Sequence, residues 1–238
     1  MSESDPHPKK QRIVVSANGP YKVSGAIPLN VVEIVPDHNR QSWEWKIVKT
    51  FPLKNNYSLC RCGKSSTMPY CDTSHEVNGF NGKETARKLP YKELADQFDG
   101  PTMQLSDAES YCAYARFCDP GGKIWDLITK TDDPAARALV IREANHCPSG
   151  RLTIRDNITH EEIEDAREPL ISIIEDPVLG CSGGLWVQGG INIESADGSP
   201  YEKRNRVTLC RCGASNNKPF CNGSHASIMF DDGILNEK

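Results

Sequence analysis

Two stretches of the chain, LCRCGKSSTMPYCDTSH at residues 59–75 and LCRCGASNNKPFCNGSH at residues 209–225, repeat one pattern of cysteine and histidine. Both read C-x-C-x8-C-x3-H, and each residue of the first copy has its counterpart 150 positions later. Three thiolates and one imidazole make a complete set of four metal ligands. The candidate ligands are Cys60, Cys62, Cys71 and His75 in the first copy and Cys210, Cys212, Cys221 and His225 in the second. The repeat predicts two metal sites and an internally duplicated fold.

The repeat extends upstream of the cysteines. GPYKVSGAIPL from Gly19 matches GGLWVQGGINI from Gly183, and the alternation over residues 23–29 and 187–193 predicts a strand with one buried face in each copy. SWEWKIVKTF from Ser42 adds a further strand candidate. Because an isolated hairpin is marginal in water, we expect the two copies to pair within one chain as a pseudo-dimer with a shared β layer.

The segment between the copies has helical patterns. Ser106 and Glu109 form a capping box ahead of a predicted helix that includes CAYARFC. Asp133 and Pro134 suit the N-cap and the first position of a second helix, and EPLISIIED predicts a strand. The sequence therefore predicts an α+β protein with a helix-containing insertion. Its predicted parts are a disordered tail at 1–12, a first repeat domain at 13–83, a central domain at 84–180 and a second repeat domain at 181–238.

Composition excludes several classes of function. The net charge is -4 and mean hydropathy is -0.54, so no basic surface for nucleic acid is expected. No stretch approaches the roughly 20 apolar residues that cross a bilayer, and the first residues do not resemble a secretory signal. Ten cysteines in C-x-C pairs suit metal binding better than a disulfide framework. We therefore expect a cytoplasmic protein in a reducing compartment.

The spacing alone leaves two kinds of metal site open. The C-x-C pair brings two sulfurs to one metal atom, and the cysteine and histidine four positions apart suit a neighbouring atom. Zinc sites more often use C-x2-C pairs, which favours an iron–sulfur cluster over a zinc knuckle that merely fixes the loop. Gly63 and Gly213 follow the second cysteine of each copy, where the backbone can bend closely around a cluster.

The stretches CRCGKSSTMPYCDTSH and CRCGASNNKPFCNGSH resemble the CDGSH iron–sulfur family. In that family the three cysteines and the histidine bind a 2Fe–2S cluster, so the resemblance implies one such cluster in each copy. The first copy has Thr73 where the family has glycine, and the second has Asn222 where the family has aspartate. These differences leave the ligands intact but predict that hydrogen bonding around the clusters, and hence potential and lability, differs between the two sites.

The histidine ligand predicts two properties. A neutral imidazole in place of a thiolate makes the site less negative, which raises the reduction potential, as in Rieske centres. It also gives each site a ligand that protonates near physiological pH. We therefore expect redox-active clusters that loosen as the pH falls.

Three cysteines of the central segment suggest a third site. Cys112 and Cys118 are separated by five residues with Ala115 between them, and Cys147 precedes a proline. This arrangement is similar to single-cluster bacterial ferredoxins, with the central cysteine replaced, and implies a 3Fe–4S or 4Fe–4S cluster. The alternative is a degenerate domain in which the cysteines are buried apolar residues. Cys181 is a candidate fourth ligand, although a structural role is favoured.

The leading hypothesis is an electron carrier, not an enzyme, whose partner is a redox protein, either a reductase or an acceptor. A second hypothesis is a cluster donor or a redox and iron sensor, with an apo iron–sulfur protein as partner. A third is a zinc-stabilised interaction module. Neither nucleic acid nor a membrane is an expected partner, and the internal pseudo-dimer predicts a monomer.

Overall fold

A computed structural model describes residues 11–235 and has an α+β architecture made mostly of sheets. The predicted tail at 1–12 lies almost wholly outside the described residues, and the first strand begins at Arg12. The strands are β1 (Arg12–Val15), β2 (Tyr21–Ser24), β3 (Leu29–Pro36), β4 (Ser42–Thr50), β5 (Asn56–Leu59), β6 (Asp96–Asp99), β7 (Met103–Asp107), β8 (Leu152–Asp156), β9 (Leu170–Asp176), β10 (Cys181–Gln188), β11 (Asn192–Glu194) and β12 (Arg206–Leu209). The α-helices are α1 (Tyr91–Leu94), α2 (Ile124–Leu127), α3 (Pro134–His146) and α4 (Ser224–Ser227).

The strands form three sheets, and the two repeat copies exchange strands between two of them. The first sheet has the order β11-β1-β2-β5, and the second has the order β12-β10-β9-β3-β4. Thus β11 of the second copy completes the sheet of the first copy, and β3 of the first copy lies in the sheet of the second. In both sheets the exchanged strand pairs in parallel, β1 with β11 and β9 with β3.

The register of the two sheets is equivalent. Ile13 on β1 pairs with Val23 on one side and with Ile193 on the other. Ile171 on β9 pairs with Val187 and with Leu29, which are the repeat counterparts of the same two partners. One apolar core contains residues of both sheets, and burial of this shared apolar surface is the main force that holds the copies together.

The single strand predicted over 23–29, and its counterpart over 187–193, is wrong in one respect, since each is interrupted. Gly25 and Ala26 have φ values of 94° and 53°, and Gly189 and Gly190 have φ values of 75° and 64°. These left-handed residues turn the chain out of one sheet and into the other, so the repeated small residues produce the strand exchange. A Cβ atom on Gly189 would lie 2.4 Å from the nitrogen of Pro169.

The central segment forms a separate three-stranded sheet, β6-β7-β8, with its own apolar core against α3. Helix α3 begins as predicted: the Asp133 side chain accepts a hydrogen bond from the backbone N–H of Ala135, and Pro134 is the first helical residue. The strands predicted at SWEWKIVKTF and EPLISIIED correspond to β4, which ends one residue earlier at Thr50, and to β9.

The helix predicted to follow Ser106 is wrong. Ser106 belongs to β7, where it pairs with Gln97 and Thr153 in the middle of the central sheet. Beyond a short 3-10 turn at Glu109–Tyr111 the chain runs as an irregular loop to Cys118. Long-range strand pairing on both sides of β7 outweighs the local capping signal, because a single capping box contributes only about 1 kcal/mol.

Within residues 11–235, no helix is both long and apolar enough to cross a membrane.

Candidate metal centres

The four predicted ligands of the first copy come together as two pairs. The Sγ atoms of Cys60 and Cys62 are 3.7 Å apart, at the end of β5. The Sγ atom of Cys71 lies 3.4 Å from Nδ1 of His75, in the short turn that follows. Strand β5 therefore positions the first pair, and the tight turn through Asp72 and Thr73 positions the second.

The second copy has the same geometry. The Sγ atoms of Cys210 and Cys212 are 3.7 Å apart, and Sγ of Cys221 is 3.4 Å from Nδ1 of His225. Two sulfurs on one tetrahedral metal at 2.3 Å are about 3.8 Å apart, and a sulfur and a nitrogen are roughly 3.5 Å apart. Each pair thus has the spacing of two ligands on one tetrahedral metal atom, so each copy suits two metal atoms.

Within residues 11–235 no three Cys, His, Asp or Glu side chains are arranged as ligands of one metal ion.

Backbone N–H groups around the sulfurs favour the thiolate form. The N–H groups of Thr73 and Gly223 donate to Sγ of Cys71 and Cys221, at 3.4 and 3.5 Å. Even so, burial raises the pKa of Cys71, and burial with the nearby Cys210 raises that of Cys221 to about 12. Metal binding stabilises the deprotonated thiolate and so overcomes this cost, which means that the donor set fits a cationic metal group.

The C-x-C pair of the second copy shares a proton between its sulfurs. A hydrogen bond from Cys212, together with nearby backbone N–H groups, opposes burial and lowers the pKa of Cys210 to about 6. The same hydrogen bond raises the pKa of Cys212. The hydrogen bond between the two sulfurs therefore favours the loss of one proton from the pair before the other.

The middle residue of each C-x-C pair is a buried arginine, whose hydrogen bonds hold the turn in place. Arg61, 1% exposed, donates to the carbonyl oxygens of Ser16 and Gly82. Arg211, 2% exposed, donates to the carbonyl oxygen of Gly183 and forms ion pairs with Glu175 and Asp232. The two arginines join each cysteine loop to the strand before it and to the segment after it.

The two C-x-C loops lie against each other. A Cβ atom on Gly63 (φ 74°) would lie 2.7 Å from the carbonyl oxygen of Cys212, and one on Gly213 (φ 79°) would lie 2.6 Å from that of Cys62. Only glycine allows this contact, so these residues are required at the interface between the sites.

The two sites differ in their surroundings. His75 is half-buried, whereas His225 is 4% exposed and burial lowers its pKa to about 4. The amide of Asn78 donates to Sγ of Cys62 at 3.4 Å, and its counterpart in the second copy is Ile228. The first site therefore has greater access to solvent and one additional hydrogen bond to sulfur.

The substituted residues of the motif also differ in their contacts. The Asp72 carboxylate accepts hydrogen bonds from the N–H and hydroxyl groups of Ser66 and Ser74, which hold its pKa well below its usual range. Asn222 accepts from Ser224 and donates to Asn216. Both side chains therefore close the same turn, one with a negative charge and one without.

The three central cysteines line one cavity. Cys112, Cys118 and Cys147 face it together with Pro148 and Arg151. Burial, with the nearby charges of Asp119 and the other two cysteines, raises the pKa of Cys118 above its usual range. Cys181 lies elsewhere, at the start of β10, and lines a different pocket, so the structure does not bring it to this group.

The loop that carries Cys112 and Cys118 has unused hydrogen-bond donors. Within the described part of the chain, the backbone N–H groups of residues 113–118 donate no hydrogen bond. Tyr114 and Arg116 have left-handed φ values of 55° and 59°, while the residues between and beside them are buried. Backbone N–H groups without a partner can donate to an anionic group, and this fits the sulfide of an iron–sulfur cluster next to the cysteines.

Sequence reasoning missed the residues that support the ligands. Arg61 and Arg211 occupy the same position in both copies of CRC, and this repetition was the available signal. Arg151, which pairs with Asp107 at 2.5 Å and contacts the Cys112 thiol, carries no such signal because its partners are distant in sequence.

Comparison with known families identifies all three segments. Residues 18–76 and 182–226 match the family described as iron-binding zinc finger, CDGSH type. Residues 98–157 match the family described as divergent 4Fe-4S mono-cluster. No curated protein and no solved structure matches the chain. Two CDGSH-type domains therefore flank a divergent 4Fe–4S segment in this chain, and these three matches support an iron–sulfur protein.

Proposed function

We propose that this protein transfers electrons through a 2Fe–2S cluster in each CDGSH domain and a 3Fe–4S or 4Fe–4S cluster in the central segment. The observation that carries the proposal is the spacing of the ligand atoms in each copy, where two cysteine Sγ atoms are 3.7 Å apart and a third Sγ atom is 3.4 Å from a histidine Nδ1. The proposed 2Fe–2S ligands are the three cysteines and one histidine of each motif. Cys112, Cys118 and Cys147 are the proposed ligands of the central cluster.

The residues around the two CDGSH sites suit a cluster that gains and loses an electron while its protein ligands stay bound. A bound 2Fe–2S cluster supplies a one-electron redox couple. The buried arginines and the N–H donors stabilise a negatively charged site without offering a proton to it, and the histidine makes that site less negative than four thiolates would. Both effects favour acceptance of an electron at a higher potential than in plant-type ferredoxins.

The strand exchange supports an intramolecular pseudo-dimer. Each of the two sheets is completed by a strand of the other copy. Neither sheet therefore needs a strand from a second chain, and a monomer is the proposed state. The proposed partner is a redox protein, a reductase or an acceptor, and the proposed location is the cytoplasm. The proposal assigns no substrate and no bond chemistry to the protein, and neither nucleic acid nor a membrane as a partner.

The test is anaerobic purification followed by visible absorption, EPR spectroscopy and an iron and sulfide count. Two 2Fe–2S clusters require about four irons, and a third cluster raises the count to about seven or eight. Reversible one-electron reduction supports the proposal. A colourless protein with stoichiometric zinc would refute it and support the zinc-stabilised interaction module.

A second candidate function is cluster donation or redox and iron sensing. It is favoured by the first CDGSH site, where Cys71 and His75 are only half-buried and an acceptor protein can approach the ligands. Incubation with an apo-ferredoxin separates the two functions. Transfer of the visible spectrum to the ferredoxin supports donation, whereas retention of the clusters with reversible reduction supports electron transfer.

A further inference from the structure

The second CDGSH loop contacts the loop of the central cysteines. A Cβ atom on Gly223 would lie 3.1 Å from Cβ of Tyr114 and 3.5 Å from the carbonyl oxygen of Cys112. The amide of Asn217 donates to the carbonyl oxygen of Ser110 at 2.7 Å. The rings of Tyr111 and Phe220 pack edge to face with centroids 5.0 Å apart. Residues on both sides of the second-site ligand Cys221 thus touch residues on both sides of Cys112.

A second connection reaches the third central cysteine. Arg206, on β12 just before the second C-x-C pair, is 2% exposed. Its Nε donates to the carbonyl oxygen of Cys147, and its Nη2 donates to that of Ala144, both at 2.7 Å. A buried guanidinium bonded to several carbonyl oxygens is a rigid joint, so β12 holds Cys147 in place relative to the second site.

The first CDGSH loop lacks these connections in the described chain. Thr73, the counterpart of Gly223, is exposed. The hydrogen bonds of Thr67, the counterpart of Asn217, stay within its own loop, and Tyr70, the counterpart of Phe220, packs on Phe51 and Tyr57. The counterpart of Arg206 is Asn56. The duplication is therefore asymmetric: of the two cysteine loops in the described chain, the second adjoins the loop of the central cysteines, whereas the first copy reaches the central segment through β4, where Trp45 packs on Phe117 with ring centroids 4.5 Å apart.

The second site also adjoins the first, through the contacts of Gly63 and Gly213 described above. It is enclosed at all four ligands, since Cys210, Cys212, Cys221 and His225 are 1–8% exposed. By contrast, Cys71 and His75 of the first site and the three central cysteines are only half-buried. An external protein can therefore approach the ligands of the first site and of the central site more closely than those of the second.

We propose that the three sites form one ordered relay, with the second CDGSH site as its middle member between the central cysteines and the first CDGSH site. The proposal rests on the electron-transfer function above and adds the order of the sites. With clusters held by Cys112, Cys118 and Cys147 and by the two motifs, a reductase would supply one electron to the central site, and that electron would pass through the second CDGSH site to the first. The first site would deliver it to an external acceptor, so each site would be reduced once and reoxidised once.

The test measures how strongly the central cluster affects each 2Fe–2S cluster in the dithionite-reduced, cluster-loaded chain. All clusters are then paramagnetic, and a fast-relaxing neighbour shortens the spin-lattice relaxation of a nearby 2Fe–2S centre. His75→Cys and His225→Cys each alter one 2Fe–2S EPR signal and so assign the two signals. Cys118→Ala removes the central cluster, and Cys181→Ala is the matched control outside the cavity.

We expect faster relaxation of the second-site signal than of the first-site signal, with the difference lost in C118A and retained in C181A. Equal relaxation, faster relaxation of the first-site signal, or an unchanged iron count in C118A would overturn the relay. If C118A does not accumulate, the comparison of the two signals within the wild-type chain decides the order. The absence of any 2Fe–2S EPR signal would instead refute the proposed function itself.

Discussion

Exchange of the residues at positions 73 and 223 tests how each motif tolerates a left-handed turn. Both residues have positive φ, 70° for Thr73 and 83° for Gly223. A non-glycine residue in this region costs roughly 1–2 kcal/mol, while replacement by glycine costs about 0.4–1 kcal/mol because it raises the conformational entropy of the unfolded chain. The Thr73 side chain is exposed, so Thr73→Gly removes strain and should stabilise the protein by about 1 kcal/mol.

The reverse substitution acts at a crowded position. In Gly223→Thr the new Cβ atom would lie 3.1 Å from Cβ of Tyr114, and the extra methyl and hydroxyl groups must displace the loop of the central cysteines. Overpacking of this kind costs about 1–3 kcal/mol, in addition to the left-handed strain. We expect a total destabilisation of about 2–4 kcal/mol.

The assay is the thermal midpoint of the anaerobic, cluster-loaded protein, followed by far-UV circular dichroism and by visible absorption. For a chain of this size 1 kcal/mol corresponds to roughly 2–4 °C, so T73G should raise Tm by a few degrees and G223T should lower it by several. G223T should also reduce the iron content of the central site. Equal losses of Tm in both variants would show that strain at position 73 and contact at position 223 are not the causes.

The remaining predictions concern potential and pH. Asn78→Ala should lower the potential of the first 2Fe–2S site in an EPR-monitored redox titration, because hydrogen bonds to sulfur raise potential, whereas Ile228→Ala at the matched position should not; equal shifts would contradict this. Acidification should release the cluster at half-buried His75 before the one at His225, which is 4% exposed, because solvent protons reach the first ligand more readily, so visible absorption should fall in two steps, and a single step would argue against the difference. Burial raises the pKa of Glu143 to about 9, and its carboxylate oxygens have no hydrogen-bond partner among residues 11–235. Because the folded state retains this proton above the pKa of the unfolded chain, the free energy of unfolding should fall as pH rises from about 4.5 to 9. Glu143→Gln should therefore raise Tm at pH 8 more than at pH 5. Equal changes of Tm at the two pH values would show that this carboxyl is charged in the folded state.

The ligand residues of the sites and the elements with local signals could be predicted from the order of the residues alone. In the spacing C-x-C-x8-C-x3-H the first two cysteines are two residues apart, and the third cysteine and the histidine are four apart. The members of each ligand pair are therefore brought together by local turns. Helix α3 begins at Asp133 and Pro134 because a cap and a proline act on adjacent N–H groups. Ligand sets and capped helices can be predicted from sequence because the residues that form them are close together along the chain.

Three features could not be predicted from the sequence because they depend on contacts between distant segments: the strand at Ser106, the strand exchange and the contact between the second CDGSH loop and the central loop. The same capping logic failed at Ser106, where pairing with β6 and β8 prevailed. The strand exchange at Gly25 and Gly189 and the contact of Gly223 with the central loop arise from packing between segments far apart in sequence. Such packing distinguishes two copies that carry the same ligands, because burial and neighbouring dipoles, rather than ligand identity, set how enclosed each site is.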